Sequence, residues 1–192
     1  AAHLLAIRGI QTEPPDGYTL MVAVGSTLAQ GPAVRKNLPY DAKKDFSLIG
    51  FFGTTPGAIY VHSSVPVNTM AELVAYAKAN PGKLTYASGG HGSAGHLQAE
   101  LFMQRTGTQM VHVAFKSDPD AARDLSTGLV NIAFTTARPA LPLVASGKAR
   151  VLSITDSKRI SQLPAAPTIA ESGVAGLDAL SPFSFLGLIG PG

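Results

Sequence analysis

Between residues 84 and 155 short apolar runs alternate with amphipathic ones, and no other feature of this sequence constrains the fold as tightly. Strands are read at 84–87, 110–115, 130–134 and 149–155, with helices at 93–106, 119–127 and 138–146 between them. That rhythm builds a parallel sheet covered on both faces by helices, so the fold class is α/β. Pro139 and Pro142 are tolerated only in a first turn, which sets the start of the 138–146 helix near Ala137 or Arg138. Upstream, Thr69-Met70-Ala71-Glu72 is a capping box opening a helix that stops at Asn80-Pro81-Gly82. Earlier strands are read at 18–24, after the Pro14-Pro15-Asp16-Gly17 turn, and at 46–52 and 58–61. A short helix near 168–172 leads to a last strand at 183–189.

The segment Tyr86 to Leu97, YASGGHGSAGHL, runs from a strand through a glycine-rich turn into a helix. Ser93 is its expected N-cap and Gly107 its stop. Such a junction offers unpaired backbone amides and the positive end of a helix dipole to a phosphate or carboxylate. The alternative is that the glycines only make a tight connection. Gly90, Gly92 and Gly95 also spell a dinucleotide-binding G-x-G-x-x-G, but that fingerprint requires an acidic residue closing the next strand, and Lys116 stands there. Asp118 reads instead as the N-cap of the following helix, with Pro119 at its first position. A nucleophile elbow around Ser93 fails because His91 occupies the position of its first glycine.

Ligands of open α/β sheets bind beyond the carboxyl ends of the strands. Small hydroxyl and glycine residues collect at such ends at Gly25-Ser26-Thr27, at Ser88 to Ser93, and at Thr135-Thr136, the last followed by Arg138. Each alone is ordinary turn chemistry; together they favour an anion site. No catalytic engine accompanies these donors. His91 and His96 are off the i,i+4 spacing of a helical metal pair, His112 inside an apolar strand reads as a hydrogen-bonded core histidine, and no carboxylates are paired for acid–base work. The sequence offers anion donors without an evident catalytic engine, and no metal or cofactor is expected.

Composition narrows the classes further. A 192-residue chain with 45% hydrophobic residues has enough apolar surface for a true core. No apolar run is long enough to cross a bilayer, and the N-terminus carries no secretory leader pattern. Without cysteine, disulfides and thiolate metal sites are excluded. The formal charge of +3 is scattered in short clusters such as Arg35-Lys36, Lys43-Lys44 and Lys158-Arg159, with no aromatic-interleaved basic stripe, so nucleic acid is not an expected partner.

The segments PPDGYTL (14–20), LPYDAKKDF (38–46), VHSSVPVNTMAEL (61–73), AKANPGKLTYASGGHGSAGHL (77–97), MVHVAFK (110–116), ALPLVASGKARVLSIT (140–155) and LPAAPTIAESG (163–173) resemble, in order, the extracytoplasmic solute receptors of tripartite tricarboxylate transporters, the Bug-type receptors. The resemblance implies a two-lobed, periplasmic-binding-protein-like fold, a Venus flytrap of parallel-rich sheets flanked by helices. The expected first lobe is residues 1–60 with 184–192, and the second is 61–183. It also implies capture of a small carboxylic acid in the periplasm and delivery to membrane permease subunits. Carried over, the ligand contacts fall on Gly25, Ser26, Thr27, Ser88, Gly89, Gly92, Ser93, Thr135 and Thr136, with His96-Leu97 serving packing. Members often read Asp-Asn where this chain has Thr135-Thr136, and a proline where it has Arg138. That exchange favours a purely anionic ligand, with Arg138 available to a distal carboxylate. Members also begin with a strand and a Pro-Gly-Gly loop and continue beyond Gly192, so the sequence is expected to be a fragment or a chain with unrecorded ends. Two other readings remain: an α/β enzyme binding a nucleotide or phosphate on the Gly90–Gly95 turn, and a truncated domain kept for protein interaction.

Overall fold

The computed structural model describes residues 2–34, 36–174 and 184–192. They divide into two compact units, Ala1–Thr55 with Ser184–Gly192, and Pro56–Phe183.

The larger unit contains β3 (Gly57–His62), α3 (Met70–Ala79), β4 (Thr85–Ser88), α4 (Ala94–Thr106), β5 (Val111–Ala114), α5 (Asp118–Ser126), β6 (Ile132–Thr136), α6 (Ala140–Ala145) and β7 (Ala149–Thr155). Its sheet has the order β5-β4-β6-β3-β7. β4 is parallel to β5 and β6, but β3 lies between β6 and β7 and is antiparallel to both. The four strands of the 84–155 alternation, β4 to β7, thus run in one direction as expected, and β3 alone is reversed. Parallel neighbours need a crossover of a dozen or more residues. β3 is the first strand of its unit and no crossover feeds it, so nothing ties its direction to the helices that set the others.

Every residue of β3 from Gly57 to Val61 is buried, and its side chains divide between two cores with the strand period of two. Ile59 and Val61 join Tyr86, Ile132 and Phe134 beneath Met70, Leu73 and Ala77 of α3 and Ala99 and Phe102 of α4. Ala58 and Tyr60 join Ala87 and Ala133 beneath Ala121 and Leu125 of α5 and Ala140 of α6. Burying a side chain the size of Phe102 or Leu125 contributes about 1.5–3 kcal/mol. A central strand covered on both faces is thus the structural floor under everything at the strand ends.

Local signals set the helix limits. Thr69 caps α3 by accepting the Glu72 amide at 3.1 Å. Gly107 ends α4 in the left-handed region at φ 66°. Two expectations need correction. The N-cap of α5 is Ser117, whose Oγ accepts the Asp120 amide, so Asp118 is released for another role. α6 begins at Ala140 because Arg138 and Pro139 are spent in the turn leaving β6; Pro142 still falls in the first turn.

The smaller unit is built on α1 (Ala2–Gln11), β1 (Met21–Val24), a helical turn Ser26–Gln30 running into α2 (Gly31–Val34), β2 (Phe46–Thr55) and β8 (Ser184–Pro191). β8 lies between β1 and β2 and is antiparallel to both. Ile7 and Ile10 of α1 pack with Ala23, Tyr40, Phe46 and Ile189. β1 starts later than expected because the Asp16 carboxylate accepts the Tyr18 amide at 3.0 Å, carrying the turn through Tyr18, which is 92% exposed. The division between units falls at Thr55 and Pro56 rather than between residues 60 and 61, since β3 is fully engaged by β6 and β7. Phe183 and Arg35, named in the sequence reading, lie outside the described residues.

Candidate functional site

The carboxyl end of β4 leads into a turn that only glycine can make at two positions: Gly90 has φ 110° and Gly92 φ 74°. Ser93 is extended (φ −71°, ψ 161°) and caps α4, its Oγ accepting the His96 amide at 3.3 Å. Ala94 and Gly95 then present first-turn amides that have no acceptor within the helix. A third glycine fixes where this helix end sits. A Cβ on Gly95 would stand 1.8 Å from the Phe134 carbonyl oxygen, so the first turn of α4 rests directly on the β6 backbone. The positive end of α4 is therefore held beside the end of β6, where Thr135, Thr136 and Arg138 lie.

The sequence-predicted residues divide in two. Gly89, Gly92 and Ser93 line the turn and are half-buried; the Gly92 amide donates to His96 Nδ1 at 3.3 Å and the Ser93 amide to the Gly90 carbonyl oxygen at 3.1 Å. Ser88 and Thr135 instead have fully buried side chains. Ser88 Oγ lies 2.7 Å from His112 Nε2 and 3.3 Å from the Gly90 carbonyl oxygen, bracing the turn from beneath. Thr135 Oγ1 is 2.7 Å from the Tyr60 hydroxyl. Burial pushes the Tyr60 phenol well above its usual range, with the Asp118 charge adding to the shift, so it stays a neutral partner. Both hydroxyls are thus engaged within the fold. Thr136 is half-buried, and its amide donates to Asp118 Oδ2 at 2.9 Å. Arg138 is exposed in the turn beyond β6, and its guanidinium makes no hydrogen bond or ion pair recorded among the described residues.

Gly25, Ser26 and Thr27 belong to the smaller unit and are not a loop. Gly25 is right-handed helical (φ −55°, ψ −33°) and the chain turns at once into the wide helical turn Ser26–Gln30. Thr27 is buried, and its carbonyl accepts the Tyr40 hydroxyl at 2.5 Å.

Three functional candidates were not legible in the sequence. Asp118, read as a cap, ties the glycine turn to the end of β6: it holds the Thr136 amide, and a Cβ on Gly89 would meet its Oδ1 at 2.7 Å. Glu100 accepts the Tyr86 hydroxyl at 2.7 Å and stands 3.8 Å from His96 Nε2. His112 is not a core residue but half-buried at the same strand end, stacked on Tyr86 with ring centroids 4.7 Å apart. The pairing of Tyr86 with His112 across the parallel β4–β5 register puts it there. Burial above all, then the neighbouring His96 and His91, pushes the His112 imidazole down to about 4. His96 is lowered as well, chiefly by burial, with Glu100 opposing.

The sequence model described as "Tripartite tricarboxylate transporter family receptor" matches residues 1–191. The chain belongs to this receptor family. It is 36% identical over 193 residues to the UPF0065 protein in the gbd 5′ region of Cupriavidus necator, which covers 100% of this chain and 56% of that protein. Among solved structures it is similar to R. palustris Rpa4515 with adipate, with a TM-score of 0.89, 32% identity, and coverage of 98% of this chain and 62% of that one. It is also similar to MatC from Rhodopseudomonas palustris with bound malate, with a TM-score of 0.86, 25% identity, and coverage of 100% of this chain and 64% of that one. The α/β fold is thus that of the receptor family, and the chain spans little more than half the length of the first of these relatives. No helix among the described residues is long and apolar enough to cross a membrane.

Proposed function

We propose that this receptor-family chain captures a small carboxylate-bearing metabolite in the periplasm and presents it to the permease subunits of a tripartite tricarboxylate-type transporter. The observation that carries the reading is the amino end of α4: a positive-φ glycine turn, a serine cap and unpaired first-turn amides gathered at the carboxyl ends of parallel strands. Adipate and malate in the structures of similar proteins give the ligand class its support. Gly89, Gly92 and Ser93 are the proposed contacts, with Ser88 and Thr135 holding the backbone that carries them. Thr136 and Arg138 complete the larger unit's set, Arg138 reaching a distal carboxylate in a bidentate fork. Gly25, Ser26 and Thr27 are carried as proposed contacts from the smaller unit.

Binding and release, without bond chemistry, are the whole of the proposed activity. A nucleotide enzyme on the Gly90–Gly95 turn is not favoured, because β5 leads to Lys116 where the ribose acid should stand and the family is one of receptors.

Titration calorimetry with adipate, malate and acetate tests the reading. Hydrogen bonds to a charged group contribute about 1.5–3 kcal/mol, so Ser93→Ala should weaken every carboxylate about tenfold or more. Arg138→Ala should weaken the diacids and leave acetate unchanged. Unaltered diacid affinity in both variants would contradict the proposed contacts, and saturable binding of nucleotide in place of carboxylate would overturn the reading itself.

A further inference from the structure

The glycine turn, α4 and β5 contribute one histidine each, and the fold brings them together: His91, His96 and His112 each offer a ring nitrogen, all within 4.8 Å of one another. Their ring centroids are 5.4 Å (His91–His96), 4.8 Å (His91–His112) and 4.3 Å (His96–His112) apart. We propose that these three imidazoles form a binding site for a divalent transition-metal ion of the zinc type. Three imidazoles and no thiolate or acidic cage are the donor set of Zn2+, Co2+, Ni2+ and Cu2+ rather than of calcium or magnesium.

The surroundings are those of a metal site. A ligating histidine characteristically has its other ring nitrogen held by an oxygen. His112 Nε2 is held by Ser88 Oγ at 2.7 Å, and its Nδ1 is buried with no hydrogen-bond partner among the described residues. That nitrogen is the one an ion would satisfy. Glu100 Oε1 stands 3.8 Å from His96 Nε2 and is itself fixed by the Tyr86 hydroxyl at 2.7 Å, an incipient carboxylate–histidine pair that leaves His96 Nδ1 as the ligand atom, in exchange for the Gly92 amide it accepts at 3.3 Å. His91 is exposed, which gives an ion a way in.

Zn–N bonds of about 2.0–2.1 Å hold nitrogens about 3.3 Å apart in a tetrahedron. The three must therefore draw inward on binding. A fourth position is left for water or a carboxylate oxygen.

The metal alone is the probe, which separates this site from the carboxylate reading. Calorimetry with Zn2+ and absorption titration with Co2+ should each give one ion per chain, with Co2+ developing the visible bands of a four-coordinate centre. His91→Ala changes an exposed turn residue and leaves both cores intact; it should weaken the ion tenfold or more, whereas His62→Ala, away from the cluster, should change nothing. Affinity should fall as pH drops below the imidazole range. Absence of saturable one-to-one binding, or binding indifferent to His91→Ala, would overturn the proposal.

Discussion

Two strand ends of nearly the same composition behave differently. At Ser88 to Ser93 the chain makes an open turn before α4, whereas at Gly25 to Thr27 it enters a helical turn without pause. The sign of φ separates them: Gly90 and Gly92 are at 110° and 74°, Gly25 at −55°. A positive-φ glycine stops the strand and opens a turn ahead of the first-turn amides of α4; a glycine in the right-handed region simply starts the helix. Glycine and serine at a strand end therefore announce a break in the chain but do not say whether it opens an anion site. A bulky neighbour completes the contrast, since Thr27 is buried under Tyr40 while Gly92 and Ser93 keep partial exposure.

The comparison can be broken at the close approach that supports the first of these ends. Gly95→Ala puts a methyl group 1.8 Å from the Phe134 carbonyl oxygen, and with backbone on both sides neither can yield cheaply. A loss of about 3 kcal/mol or more is expected in denaturant unfolding; a variant within about 0.5 kcal/mol of the parent would mean that α4 is not seated on β6. Next in size is the paired exchange of Gly90→Ala and Gly25→Ala. The first forces a left-handed alanine whose Cβ also meets the Phe115 carbonyl oxygen at 3.0 Å, and should cost about 1–2 kcal/mol. The second carries no φ penalty and should cost less; equal losses would erase the distinction drawn here.

Ser93→Ala sharpens the picture by removing a cap without touching the glycines. About 1 kcal/mol of stability should go with it, while the glycine turn persists in the amide spectrum. The remaining effect is electrostatic. The His112 imidazole is depressed to about 4 in the folded protein, below its ordinary value of 6.5, so the unfolded chain binds more protons between those limits. Stability should therefore be lost as pH falls through that window and be flat above it. His112→Gln should shrink this acid-side slope, measured by thermal unfolding across pH; an unchanged slope would show that His112 is not the group being charged.

The sequence made the larger unit readable because its alternation is enforced residue by residue: capping at Thr69 and Ser93, the glycine stop at Gly107, and strands β4 to β7 fall within about two residues of expectation. Strand direction was not readable. A buried run such as Gly57 to Val61 is apolar on both faces whichever way it points, so β3 gave no sign of its antiparallel place between β6 and β7. At the site, Ser93 could be found because an N-cap is a local signal. Asp118 could not, since its partners Thr136 and Gly89 are distant in sequence, and an acid before Pro119 looks like a cap even when Ser117 does the capping. The three histidines escaped for the same reason: only the β4–β5 register and the reversal at Gly90 to Gly92 bring His112 to His91 and His96. Long-range pairing, rather than composition, assembles the end of this sheet.

The central claim is that the amino end of α4 receives the ligand's carboxylate. A crystal structure of the protein with adipate tests it most directly. The account predicts a carboxylate accepting hydrogen bonds from backbone amides of the Gly89–Gly95 segment, with Ser93 still capping the helix. Adipate bound with both carboxylates away from that segment, its amides turned to water, would contradict it.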